Sequence, residues 1–140
     1  MAMAKLAAVA PRHPGALVLA ADSVVAVGRR ILPKAETELQ ARACLALMSG
    51  RRHRVLGGVA VGVAGAKVRT RLVETVVRFR RLEAADIEAY IQSGEWRGKA
   101  GGYAIQGRAA AFVSFISGSY SNVVGLPLFE TVRLIKAAET

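Results

Sequence analysis

The chain has 140 residues and a mass of 14.8 kDa, and its 20 Lys and Arg against 10 Asp and Glu give a formal net charge of +10. This length and a hydrophobic fraction of 53% indicate one globular domain over residues 1–140, and they exclude a disordered or collagen-like chain. The single cysteine, Cys44, excludes an intrachain disulfide and provides too few thiols for a cysteine-based zinc site. We expect a protein of a reducing compartment.

The first part of the sequence predicts a helix, a strand and a hairpin. Residues 1–10 are alanine-rich and predict a helix that ends before Pro11. The apolar run 16–21 predicts a short strand with Asp22 at its carboxyl end. Apolar residues on both sides of Gly28 predict a small hairpin there.

A capped helix and two paired strands are predicted next. Residues 37–40 have the form of a capping box, and the apolar positions that follow recur with helical spacing. Residues 55–64 and 67–81 predict two paired strands separated by Gly65. One face of the second strand changes from basic to apolar, as expected for a strand that leaves solvent and enters a core.

The last part predicts a helix over 83–92, a strand over 109–116 and a closing helix over 127–138. The uncharged stretch 109–129 is long enough to span a membrane, but serines, glycines and a proline interrupt it. We therefore expect no membrane partner. Strands that alternate with helices indicate an α/β fold with a central mixed β-sheet flanked by helices.

Three isolated side chains are candidates for chemistry. Asp22 is a lone carboxylate after an apolar strand, where α/β proteins commonly place metal ligands and bases, although an aspartate can also cap a turn with Ser23. Lys5 and Lys34 could each donate to a phosphate oxygen, although most lysines are solvated surface groups.

The sequence GKAGGYAIQG at residues 98–107 is the most distinctive stretch. Its glycines and Lys99 would let backbone N–H groups and a cation approach an anion, as in phosphate-binding loops, although a tight structural loop is the alternative. It does not match GxxxxGK[ST] or GxGxxG. The Gln106 amide carries a donor and an acceptor, which suits the edge of uracil or thymine, although a glutamine bound to water is more common.

Two basic clusters, at residues 51–54 and 78–81, would attract a polyanion such as nucleic acid. No helix-turn-helix, zinc-finger or RNA-binding aromatic signature accompanies them. We interpret them as a solvated face and expect no nucleic-acid partner. His13 and His53 are isolated, which argues against a histidine metal site.

Read in order, five segments and Lys5 resemble the Maf family of nucleoside triphosphate pyrophosphatases over residues 4–138. The segments are ALVLAADSVV, ILPKAETELQARACLALMSG, HRVLGGVAV, GEWRGKAGGYAIQGRAAAFV and ISGSYSNVVGLPLFET. The resemblance implies hydrolysis of nucleoside triphosphates to the monophosphate and pyrophosphate, with Mg²⁺ or Mn²⁺ as the divalent cation.

The resemblance also assigns roles to single residues. It implies that Asp22 is the general base for water or a metal ligand, and that Lys5, Lys34 and Lys99 surround the triphosphate. Ser23 after the aspartate, together with Gln106, is similar to the subgroup that acts on dTTP and UTP. The 7-methyl-GTP subgroup is expected to carry an acidic residue at the glutamine position.

The resemblance further implies a cytoplasmic homodimer linked to septum formation. The opening strand of the family and its Ser-x-Ser-Pro-Arg-Arg loop have no counterpart before Lys5, so we expect a chain that is N-terminally truncated relative to the family. The alternative function is a non-catalytic nucleotide-binding or septum-regulating protein that has lost hydrolysis together with that loop.

Overall fold

Five strands form the centre of the structure, a computed structural model that describes residues 2–139. Two short 3₁₀ helices, Ala10–Arg12 and Arg108–Phe112, accompany the main elements. In chain order these elements are α1 (Ala2–Val9), β1 (Val18–Val27), β2 (Arg30–Leu32), α2 (Glu38–Met48), β3 (Arg52–Gly62), β4 (Arg69–Phe79), α3 (Ala84–Ser93), β5 (Val113–Ser117), α4 (Tyr120–Val124) and α5 (Leu128–Glu139).

The strands lie in the order β2-β1-β3-β4-β5. The predicted α/β fold with a central sheet flanked by helices is confirmed. The expected mixed sheet is not what the described residues form, because all four strand pairings are antiparallel. Strands β1 and β2, and strands β3 and β4, are joined by short turns, and such connections bring neighbouring strands together in opposite directions.

Helix α2 begins and packs as its sequence predicts. The Thr37 side chain accepts a hydrogen bond from the Gln40 backbone N–H, and the Gln40 side chain accepts one from the Thr37 backbone N–H, which completes the capping box. The predicted apolar stripe is buried in the main core: Ala41, Cys44, Leu45 and Met48. Full burial of a side chain such as Leu45 contributes about 1.5–3 kcal/mol of transfer free energy.

The change from basic to apolar along β4 is also confirmed. Lys67, just before β4, and Arg71, near its start, are exposed. Thr75, Val77 and Phe79, toward the end of the strand, are buried. The strand predicted over 109–116 is wrong in its first half, where Arg108–Phe112 is a 3₁₀ helix. Three consecutive alanines favour a helical turn over a strand, and this turn directs Phe112 into the core.

The two faces of the sheet carry separate cores. A small core joins α1 to one face through Ala2, Leu6, Ala10 and Ala60. The larger core lies on the other face, where side chains of β1, β3 and β4 pack against α2 and α3. Within residues 2–139, no helix combines the length and the apolar character needed to cross a membrane.

Candidate active site

Asp22 lies in the middle of β1 and not at its end, so the predicted position is wrong. The strand extends from Val18 to Val27, and Asp22 pairs with Gly58 of β3. The apolar run was a guide only to where β1 begins, because β3 pairs with it continuously up to Ala26. A carboxylate is therefore placed in the middle of a sheet, where it needs a compensating charge.

Lys5 of α1 provides that charge. Its Nζ donates to Asp22 Oδ1 at 3.1 Å and to the Ala21 carbonyl at 3.0 Å. The Lys5 side chain is 49% exposed and the Asp22 side chain 10% exposed, so the pair lies at the boundary between protein and solvent. The structure thus brings together two of the residues that the sequence proposed separately.

Ser23 lies on the opposite face of the sheet from Asp22, because successive side chains of a strand alternate. On that face, Ser23, Lys99 and Gln106 line one cavity of about 150 Å³. Its apolar wall consists of Val25, Val55 and Tyr103. One side of the cavity is closed by residues 123–125. Three of the predicted site residues therefore share a cavity, whereas Lys5 and Asp22 lie across the strand from it.

Lys34 is held beside Lys99 by backbone pairing. Strand β2 ends at Leu32, and Pro33, which has no N–H group, interrupts the pairing with β1. The chain then pairs with the glycine-rich loop: Ala35 N donates to the Lys99 carbonyl at 3.0 Å, and Lys34 forms a single bridge with Ala100. Both lysines are exposed, and neither side chain has a partner among residues 2–139.

In the glycine-rich part of the loop, residues 98–102, the backbone N–H groups of the glycines and of Lys99 are already used in hydrogen bonds within the protein. The amides of Gly98, Lys99, Gly101 and Gly102 all donate to protein carbonyls, at 2.9–3.2 Å. Gly101 has φ +70°, and a Cβ on it would lie 3.1 Å from Val25 Cγ1, so the glycine is needed for close packing on β1. These four amides are therefore not available to an anion, and the segment offers the Lys99 side chain instead.

A buried pair to which no sequence motif pointed lies behind this loop. His53 Nε2 and the Tyr103 hydroxyl share a hydrogen bond of 2.6 Å, and both rings pack edge-on against Phe79. Burial lowers the pKa of His53 to about 4 and raises the pKa of Tyr103 above its usual range. The alternating pattern of β3 was the available signal, because His53 shares the phase of Val55 and Val59 and not that of the neighbouring arginines.

Asn122, a third residue to which no sequence motif pointed, attaches α4 to the sheet. It is fully buried, and its amide donates to the carbonyls of Val55 and Val73 at 3.1 Å and to Thr75 Oγ1 at 3.0 Å. The absence of a side chain at Gly57 leaves room for this amide. The cavity wall formed by residues 123–125 is consequently fixed to β3 and β4.

No group of three or more His, Cys, Asp or Glu side chains able to hold a metal ion occurs in the described part of the chain. Asp22 alone offers one carboxylate, whose Oδ1 is bound by Lys5. This donor set fits Mg²⁺ in one known way, because that ion is often bound by one or two carboxylates together with substrate phosphates and water.

The amino-acid sequence of the chain matches a known protein family. The family model described as "Maf-like protein" matches residues 1–138. The chain is 62% identical over 135 residues to a dTTP/UTP pyrophosphatase of Paramagnetospirillum magneticum, covering 96% of this chain and 71% of that protein. It is 59% identical over 138 residues to the protein of the same name in Novosphingobium aromaticivorans, covering 99% and 69% of the two chains.

A third relative, the dTTP/UTP pyrophosphatase of Rhodospirillum rubrum, is 61% identical over 135 residues. The match covers 96% of this chain and 64% of that protein. The chain thus spans about two thirds of the length of the curated relatives that it matches.

Proposed function

The chain belongs to the Maf family, and on that basis we propose that it is a hydrolase that converts dTTP and UTP to their monophosphates and pyrophosphate. The names of its relatives support this substrate class. One structural observation supports the proposal: Lys99 and Gln106 line the same cavity as Ser23, the neighbour of Asp22 in β1.

The size of the cavity suggests how a nucleotide would be divided over the site. Its volume of about 150 Å³ is smaller than the roughly 300–1,000 Å³ of a typical small-molecule site, so it suits one part of a nucleotide. We assign that part to the pyrimidine ring, whose paired donor and acceptor groups match the Gln106 amide. The apolar wall of Val25 and Val55 would contact the ring.

The triphosphate would then extend toward the unpaired lysines. Lys34 and Lys99 lie on adjacent, hydrogen-bonded segments and are exposed, so both ammonium groups can reach phosphate oxygens. Asp22 is adjacent to Ser23 in sequence, but its carboxylate lies on the opposite face of β1 from Ser23, where Lys5 holds its Oδ1. We propose that Asp22 orients or deprotonates the attacking water, with Lys5 fixing the carboxylate.

We also propose Mg²⁺ or Mn²⁺ as a cofactor, held by Asp22 and the substrate phosphates. When bound, such an ion neutralises charge on the phosphates and polarises the phosphoryl group. The homodimer, the cytoplasmic location and the link to septum formation remain predictions that follow from the family resemblance.

The test is release of pyrophosphate from dTTP, UTP, CTP and 7-methyl-GTP with Mg²⁺ or Mn²⁺. We expect turnover of dTTP and UTP, and loss of that turnover in Asp22→Asn with an unchanged circular dichroism spectrum. Glu38→Gln, which removes an exposed carboxylate from α2, is the matched control and should retain activity. Nucleotide affinity without turnover in the folded wild type would instead support the non-catalytic alternative.

A further inference from the structure

The loop of residues 98–107 is fixed at its start, middle and end. At its start, Gly98 and Gly101 donate to the carbonyls of Ala35 and Pro33 at 2.9 and 3.0 Å. In the middle, the Tyr90 hydroxyl donates to the Gly102 carbonyl at 3.0 Å. Just after its end, the Arg108 backbone N–H donates to a Glu95 carboxylate oxygen at 2.9 Å.

Two polar side chains of this loop that line the cavity are not held by other side chains of the described part of the chain. Lys99 and Gln106 are exposed and have no side-chain partner within residues 2–139. A loop whose backbone is tied at several points, and which carries two unpaired polar side chains on a cavity, is built to present those side chains.

Tyr103 lies between these two residues in the sequence and lines the same cavity. Its hydroxyl reaches across 50 positions of sequence to His53 of β3, at 2.6 Å, and both residues are buried. This contact is a side-chain hydrogen bond that joins the loop directly to a central strand of the sheet.

We infer that the His53–Tyr103 hydrogen bond positions this loop, so that Lys99 and Gln106 present their side chains to one nucleotide; the inference rests on the proposed function. His53 and Tyr103 are positioning residues, because they act through Lys99 and Gln106. Loss of the bond would let the loop shift relative to β3 and would weaken recognition of the pyrimidine.

The chemistry of His53 supports a role beyond packing. Its second ring nitrogen, Nδ1, is buried and has no hydrogen-bond partner among residues 2–139. An unpaired buried polar atom is costly, and an apolar side chain at this position would avoid that cost. What the imidazole supplies and an apolar residue cannot is the hydrogen bond to Tyr103.

The experiment compares Tyr103→Phe with wild type, because this change removes one hydroxyl and keeps the ring. We expect hydrogen exchange of the loop amides to accelerate about tenfold, which matches the loss of one buried hydrogen bond. We expect KM for dTTP to rise about tenfold with kcat within about twofold, since Asp22 lies on the other face of the sheet. The ratio of dTTP to CTP turnover should fall.

Two further comparisons separate positioning from general destabilisation. Ser49→Ala removes a partly buried hydrogen bond of 2.7 Å to Leu82 N, away from the cavity, and should change neither KM nor the dTTP to CTP ratio. His53→Gln keeps an amide that can donate to or accept from the Tyr103 hydroxyl, and it should restore part of the affinity that His53→Leu loses.

The inference would be overturned if Tyr103→Phe kept wild-type values for the hydrogen-exchange rates of the loop amides, for KM and for the ratio of dTTP to CTP turnover. An equal change in Ser49→Ala would overturn it as well, because stability alone would then explain the effect. A wild type that binds no nucleotide would overturn the proposed function, and the exchange rates of the loop would then decide the positioning role by themselves.

Discussion

Lys5 Nζ lies 3.1 Å from Asp22 Oδ1 and 3.0 Å from the Ala21 carbonyl, so one ammonium of α1 is held by two consecutive residues of β1. The contact holds the ammonium and the carboxylate in a fixed relation at the surface of the sheet. Lys5 is half exposed whereas Asp22 is largely buried, so the ammonium both compensates the charge of the carboxylate and orients it.

The first prediction concerns this pair. Lys5→Met should lower the free energy of unfolding by about 1–3 kcal/mol, because it leaves the largely buried Asp22 carboxylate without its partner. It should reduce kcat for dTTP by about 10²-fold, because Asp22 loses the group that orients it. Pyrophosphate release and urea unfolding measure the two effects separately.

Lys67→Met, which removes an exposed lysine near the turn of the β3–β4 hairpin, is the control and should retain wild-type kcat. Adding Asp22→Asn to Lys5→Met should cost no more activity than Asp22→Asn alone, because residues that act as a unit are not additive. Additive losses would show that Lys5 acts independently of Asp22.

The second prediction concerns substrate choice. Gln106→Glu replaces an amide that donates and accepts with a carboxylate that only accepts, and it adds a negative charge to the cavity. The kcat/KM for dTTP and UTP should fall by about 10–100-fold, consistent with the loss of a hydrogen bond at a polar recognition site. Turnover of 7-methyl-GTP should rise relative to dTTP.

Gln92→Glu adds the same charge on the exposed side of α3, and its substrate preference should match that of wild type. An unchanged ratio of dTTP to 7-methyl-GTP turnover in Gln106→Glu would remove Gln106 from substrate selection.

The third prediction concerns pH. Burial lowers the pKa of His53 to about 4 from its ordinary 6.5, so between these values the unfolded chain binds a proton that the folded protein does not. This group therefore makes the folded state less stable as the pH falls from 6.5 to about 4, by about 3 kcal/mol over the whole range.

Urea unfolding at a series of pH values measures this dependence. His53→Gln has no titrating group at the site, so its stability should fall less steeply with acid than that of the wild type. Parallel pH profiles for the two proteins would contradict a neutral, buried His53.

The fourth prediction concerns the start of α2. Thr37→Ala removes the side chain that accepts from Gln40 N at 3.2 Å and should lower the free energy of unfolding by about 1 kcal/mol. For a chain of this size the expected fall in Tm is about 4 °C. Thr70→Ala, at an exposed position of β4, should have a smaller effect in the same calorimetric scan.

Much of the fold was accessible from local patterns. The capping box at Thr37, the buried stripe through Leu45 and the basic-to-apolar face of β4 each depend on residues close together in the chain. Local patterns failed where a distant partner decides the outcome. Strand β1 continues past Asp22 because β3 pairs with it, and no residue near Asp22 in the sequence indicates this pairing.

The sequence by itself determined the fold class, the capped helix and the hairpins, because their signals repeat within a few residues. It also supplied the site residues one at a time. Only the tertiary structure decided which of them meet: Lys5 with Asp22 on one face, and Ser23 with Lys99 and Gln106 on the other. The tertiary structure also buries His53, whose neighbours in sequence are arginines, and pairs it with Tyr103. Such contacts depend on how the sheet and the loop pack and not on spacing along the chain.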